Sequence, residues 1–73
     1  MTAFLAVEFE PEADPHFAVN ALRQPTLVVT ALDIGARDVV ATVEVASAAV
    51  LDSIVQTIQA CRGIRASTAF PVA

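Results

Sequence analysis

The sequence predicts an α+β domain of the split βαβ, ferredoxin-like kind, in the order strand, helix, strand, strand, helix, strand. Three observations predict it. The chain opens with apolar residues at every second position, two valine-rich runs flank a glycine-containing loop near its middle, and a helix-period apolar stripe precedes the last strand-like run. Two strand-helix units separated by a hairpin give one four-stranded antiparallel sheet with both helices expected on one face.

Residues 3–10, AFLAVEFE, put Leu5, Val7 and Phe9 on one side and Glu8 and Glu10 on the other, the pattern of a half-covered strand. In PEADPHFAVNALRQP, Asp14 is placed to cap free helix N–H groups, and Pro15 suits the first helical position, where its missing N–H costs nothing. Phe17, Ala18, Ala21 and Leu22 then share one side, with His16, Asn20 and Arg23 opposite, and Pro25 ends the helix. Residues 26–34, TLVVTALDI, and 38–46, DVVATVEVA, read as an antiparallel hairpin. Ser47 is an N-cap for a second helix in which Val50, Leu51, Ile54, Val55 and Ile58 face one way and Asp52, Ser53, Gln56 and Gln59 the other. Gly63 supplies its C-terminal stop, where a positive φ is commonly needed. The last strand, IRASTAFPV, carries Pro71 near its end, which implies an edge position or the end of pairing.

Seventy-three residues make a single domain with a core that is marginal unless a disulfide, a metal or a partner adds to it. Cys61 is the only cysteine and His16 the only histidine, so neither an intrachain disulfide nor a recurring cysteine/histidine zinc spacing can be built. Oligomerisation remains. A hydrophobic content of 56% argues against a disordered tail, while the apolar runs are interrupted short of the roughly 18 residues a membrane span needs. No basic flank with a long apolar core opens the chain as in a signal peptide, so the expectation is a soluble cytoplasmic domain with no membrane partner.

The net charge is −4, with four arginines and no lysine, and nothing resembles the positive stripe that holds a phosphate backbone. Arg62 and Arg65, and the acidic stretch Glu8, Glu10, Glu12 and Asp14, read as solvated surface. Ser47, Ser53, Ser67 and Cys61 are conceivable nucleophiles. His16, the one side chain suited to serve them as a base near neutral pH, lies on the outer face of the first helix, and Cys61 reads as a small apolar residue. Glu8 and Glu10 lie on the polar side of one strand, a spacing that exposure explains before acid–base work is needed. The expectation is no enzyme, no metal and no cofactor.

The central hairpin carries a further signal. Val28 is followed by Val29 and Val39 by Val40, so neither side is dominantly polar. A half-exposed antiparallel sheet shows a polar side, and an extended apolar one marks an association surface. The expectation is a symmetric dimer whose sheets pack face to face.

With this order of elements, the chain resembles the C-terminal effector-binding domain of the Lrp/AsnC family of transcriptional regulators, the domain for regulation of amino-acid metabolism. The resemblance runs through nearly the whole chain: a first helix ending in Leu-x-x-Pro (Leu22 to Pro25), a Gly-x-x-Asp turn (Gly35 to Asp38) between valine-rich strands, and Gly63, Ile64 and Arg65 leading into a strand that bears Ser67. The family's turn is typically Gly-acid-aromatic-Asp; Ala36 here replaces the acid and Arg37 the aromatic residue. Ala69 stands where a second hydroxyl is often found.

The resemblance implies a homodimeric α/β barrel that assembles into larger rings, with a small effector, often an amino acid, bound between dimers near the hairpin. The implied effector site is Gly35, Ala36, Arg37, Asp38 and Ser67. Backbone N–H groups at the glycine turn can approach a carboxylate, Asp38 can hold an ammonium group, and Ser67 can complete the rim. Gly35 is equally explained by a turn needing positive φ, and Asp38 by a contact with the turn's own backbone. Arg37 can grip a carboxylate, pair with Asp33 or Asp38, or be solvated. The family's full-length regulators also carry a helix-turn-helix domain, for which these 73 residues have no room. The chain is thus expected to be a stand-alone or excised effector domain that acts through a DNA-binding domain of its own or by joining full-length regulators, and does not bind nucleic acid itself. The alternative is a small dimeric α/β barrel enzyme that oxidises or isomerises small molecules without a metal.

Overall fold

The computed structural model describes residues 1–72, apart from the side chains of Pro15 and Phe17. Its elements follow the expected order: β1 (Thr2–Phe9), α1 (Pro15–Ala21), β2 (Val28–Ile34), β3 (Asp38–Glu44), α2 (Ala48–Gln59) and β4 (Ile64–Pro71). The four strands form one antiparallel sheet in the order β2-β3-β1-β4, an α+β arrangement compatible with a ferredoxin-like fold. β1 and β3 are central. β2 and β4 are the edges, and Pro71 sits at the last β1–β4 pair, opposite Ala3, where both sequence explanations for a strand proline hold.

The helix starts are those the sequence encodes. Asp14 takes an extended backbone and its Oδ1 accepts the His16 N–H at 2.9 Å, with Pro15 opening α1. Ser47 Oγ accepts the Val50 N–H at 3.3 Å at the start of α2. α1 stops at Ala21 because Arg23 N already donates to Asn20 O in a tighter turn, and Pro25 disfavours helical geometry at Gln24. The Gln24 side chain donates to the freed Ala21 carbonyl at 3.1 Å.

Packing follows the period-two pattern. Leu5, Val7 and Phe9 of β1 and Val39, Ala41 and Val43 of β3 are buried against Ala18, Ala21 and Leu22 of α1 and Leu51, Ile54 and Ile58 of α2. The expectation that Phe17 shares this side lies outside the described residues. Val50, Val55 and Cys61 pack at the margin, and Cys61 Sγ donates to Thr57 O at 3.4 Å. Among the described residues no polar or charged side chain is buried, so hydrophobic burial is what holds the interior together.

Helix cover is less complete than the sequence implies. All seven residues of β2 are exposed, including Val29, Leu32 and Ile34, whose partners Val43, Ala41 and Val39 lie on the helix side. α1 packs on β1 and β3. Seven helical residues reach about 10 Å, whereas seven strand residues span about 23 Å, so α1 is too short to roof the edge strand as well. An apolar groove lined by Val19, Leu22, Val29 and Leu32 is left between them.

The two edges differ. Gln59 of α2 reaches β4, where its Oε1 accepts the Ser67 N–H at 2.7 Å and its Nε2 donates to Arg65 O at 3.3 Å. One side-chain amide thus supplies the donor and acceptor a neighbouring strand would offer, which blunts that edge. β2 is instead interrupted by a bulge at Thr30, whose Oγ1 donates to Thr42 O at 3.1 Å.

Candidate functional site

Four of the five residues singled out by the resemblance, Gly35, Ala36, Arg37 and Asp38, gather at one end of the sheet, where β1 finishes, β3 begins and β4 begins. Phe9 N donates to Arg37 O at 3.0 Å, and Glu10 N donates to Gly63 O at 2.8 Å. The backbone at the end of β1 is therefore tied on one side to the β2–β3 turn and on the other to the loop before β4. Motifs far apart in sequence become neighbours through β1, a consequence of its central place in the sheet.

The turn itself is short, and Gly35 N closes it on Asp38 O at 2.8 Å. Gly35 does not have a positive φ; among the described residues Gly63 alone does, at 86°. The expected stop by Gly63 is not what ends α2, whose cap at Ala60 is right-handed; left-handed geometry at Gly63 serves the turn into β4, where Ile64 N donates to Cys61 O at 3.3 Å, and it does not explain the glycine of the hairpin. The reason at Gly35 is space. A Cβ there would collide with Asp38 Oδ1, because the Asp38 carboxylate folds back over the turn. The unexplained spacing of glycine and aspartate is thus one steric unit.

Asp38 lies directly opposite Glu8 across the β1–β3 ladder. Like charges in that relation repel, so the pair is held by the strands and not by itself. On the other flank of Glu8 the β1–β4 register passes from Glu8 opposite Ala66 to Phe9 opposite Ile64, which leaves Arg65 as the additional residue of a bulge. Glu8, Phe9, Pro11, Arg37 and Arg65 line one shallow, mainly polar cleft of about 140 Å³. Among the described residues the one ion pair within 4 Å joins the N-terminal ammonium to Glu44 at the far end of β1, so Arg37 and Arg65 face the cleft without a carboxylate in contact. No hydrogen bond reaches the Asp38 carboxylate from the described residues.

Ser67 lies elsewhere. It is opposite buried Val7, on the helix side of the sheet, and its Oγ donates to Val55 O at 3.0 Å and lies 3.1 Å from Gln59 Oε1. Within one chain its hydroxyl fastens β4 to α2, while Gly35, Ala36, Arg37 and Asp38 stand together at the hairpin. Conversely, Glu8 and Arg65 share the cleft with Arg37 although the sequence reading treats both as solvated charge. Pairing register is the signal that joins them, and it exists only once the strands are aligned.

The sheet face away from the helices is apolar from Val40 toward the opposite end. Phe4 is opposite both Thr42 and Phe70, Ala6 opposite both Val40 and Thr68, and Val28 opposite Glu44. Phe4 is 45% exposed, Phe70 55%, Val40 39% and Val28 60%. Two phenylalanines side by side on neighbouring strands in water form the centre of an apolar patch rimmed by threonines and acids.

His16 is exposed on α1, remote in the chain from every serine and from Cys61, and it makes no side-chain hydrogen bond among the described residues. No group of three or more histidine, cysteine, aspartate or glutamate side chains among the described residues is arranged to hold a metal ion. Among the described residues no helix is long and apolar enough to cross a membrane. No protein-family model matches the chain, and no curated protein matches it in sequence.

Proposed function

We propose that this chain is a self-associating module that senses a small effector, an amino acid by class, for a transcriptional regulator of the Lrp/AsnC kind. It acts within a longer regulator or by joining full-length ones. The observation that carries the reading is the open sheet face, where Phe4, Val40, Val28 and Phe70 remain in water. Two such faces packed together remove the patch from solvent and give a symmetric dimer of the α/β barrel type. Larger rings then form from dimers. The effector sits between dimers at Gly35, Ala36, Arg37 and Asp38, with Ser67 serving as the clasp that keeps β4 in register. A net charge of −4 supports a module that leaves nucleic acid to another domain.

Light scattering at micromolar concentration tests the assembly. The expected result is a dimer or larger species in the native chain, shifted toward monomer with retained helix and sheet circular dichroism in Phe4→Asp/Phe70→Asp. A native chain that is monomeric under those conditions refutes it. Thermal-shift measurements with the twenty amino acids test the sensing role: at 100 times its Kd a ligand adds about 2.7 kcal/mol. For a domain of this size that is about 10 °C or more. No shift with any of them refutes effector binding.

A further inference from the structure

The geometry points to the ligand class of the hairpin site: a small zwitterion with two carboxylates, that is, an acidic amino acid. This deepens the effector reading above and rests on it. Its ground is the set of three charged side chains, Arg37, Arg65 and Glu8, that β1 brings together in one cleft at its end. Arg37 arrives from the β2–β3 turn and Arg65 from the β1–β4 bulge, on either flank of Glu8, and both line the same cleft with it. Asp38 faces Glu8 across the ladder.

Two features make this more than a solvated charge cluster. The positions are fixed from behind, since Arg37 O takes the Phe9 N–H and the loop before Arg65 takes the Glu10 N–H, so the two guanidinium stems leave from backbone held on both sides of β1. The charges are also not spent on each other, as neither arginine has a carboxylate within 4 Å among the described residues. Two guanidinium groups match two carboxylates by forked hydrogen bonds, and the Glu8 carboxylate takes an ammonium group. A neutral amino acid would use one arginine and leave the other idle. A dicarboxylate without an amine would leave Glu8 without a partner.

Isothermal titration with L-glutamate, L-aspartate, succinate and L-leucine tests this on the native chain and on Arg37→Gln, Arg65→Gln and Glu8→Gln. The three substitutions are at exposed positions, and circular dichroism melting checks that each variant folds. The expected result is that glutamate or aspartate binds more tightly than leucine and succinate, and that loss of either arginine weakens binding at least about tenfold. If leucine binds as tightly as the acidic amino acids, or Arg65→Gln leaves their affinity unchanged, the acidic-ligand inference is overturned while the effector site stands. If succinate binds as tightly as glutamate, or Glu8→Gln leaves glutamate affinity unchanged, the ammonium role is overturned. If none of the four binds but another amino acid does, the ligand class is overturned alone; if no amino acid binds, the effector reading falls with it.

Discussion

Substitution of Gly35 by alanine separates two reasons for a turn glycine. Were Gly35 held at positive φ, a Cβ would cost about 1–2 kcal/mol wherever Asp38 pointed. Its φ is not positive, and the obstacle is the Asp38 carboxylate, with the Asp38 backbone oxygen at an ordinary 3.4 Å. Asp38 is exposed, so its side chain can swing away at the cost of an unfavourable rotamer, about 0.5–1.5 kcal/mol. Against this, alanine restricts the unfolded chain and returns about 0.4–1 kcal/mol. Gly35→Ala alone should therefore lie within about 1 kcal/mol of the native chain, whereas in an Asp38→Ala background it should stabilise by about 0.4–1 kcal/mol. Gly63→Ala, at φ 86°, should destabilise by about 1–2 kcal/mol in both backgrounds. The assay is urea unfolding of the four members of the cycle, where about 1 kcal/mol moves the midpoint by up to about 1 M for so small a domain. Equal destabilisation by Gly35→Ala with and without Asp38 would refute the steric account.

The remaining predictions concern the frame that holds the site. Gln59→Ala should remove the amide that covers the β4 edge and cost about 1–2 kcal/mol, with faster hydrogen exchange at the Ser67 N–H as the local readout. Ile58→Ala, at a fully buried position in α2, should leave a cavity costing about 2–5 kcal/mol, read as a large fall in melting temperature. Ser47→Ala should cost about 1 kcal/mol by freeing the Val50 N–H, and Ser47→Asp should retain most of it, both by urea unfolding.

The fold was legible because its signals are local. Alternation in AFLAVEFE and the Asp14–Pro15 and Ser47 starts each depend on residues within one turn or one strand. The structure returns each within two residues or so of its expected place. The largest differences are two residues, at the start of β2, expected at Thr26 and found at Val28, and at the end of β3, expected at Ala46 and found at Glu44. The candidate site was legible in part. Gly35, Ala36, Arg37 and Asp38 are contiguous, so any fold with a hairpin there keeps them together. Ser67 was not, since a strand residue takes one of two faces according to register, and opposite Val7 it turns toward α2.

By itself the sequence determined the number, kind and order of elements, the starts of both helices, and which residues of β1 and α2 enter the core, since these follow from backbone preferences and hydrophobic period. The tertiary structure decided what no local rule contains. It placed β1 between β3 and β4, so that Glu8 stands between Arg37 and Arg65. It left β2 beyond the reach of a seven-residue helix, and set the Asp38 carboxylate in the space that a side chain at position 35 would need. Pairing register and helix reach are properties of the assembled sheet, and the chemistry at its end is built from them.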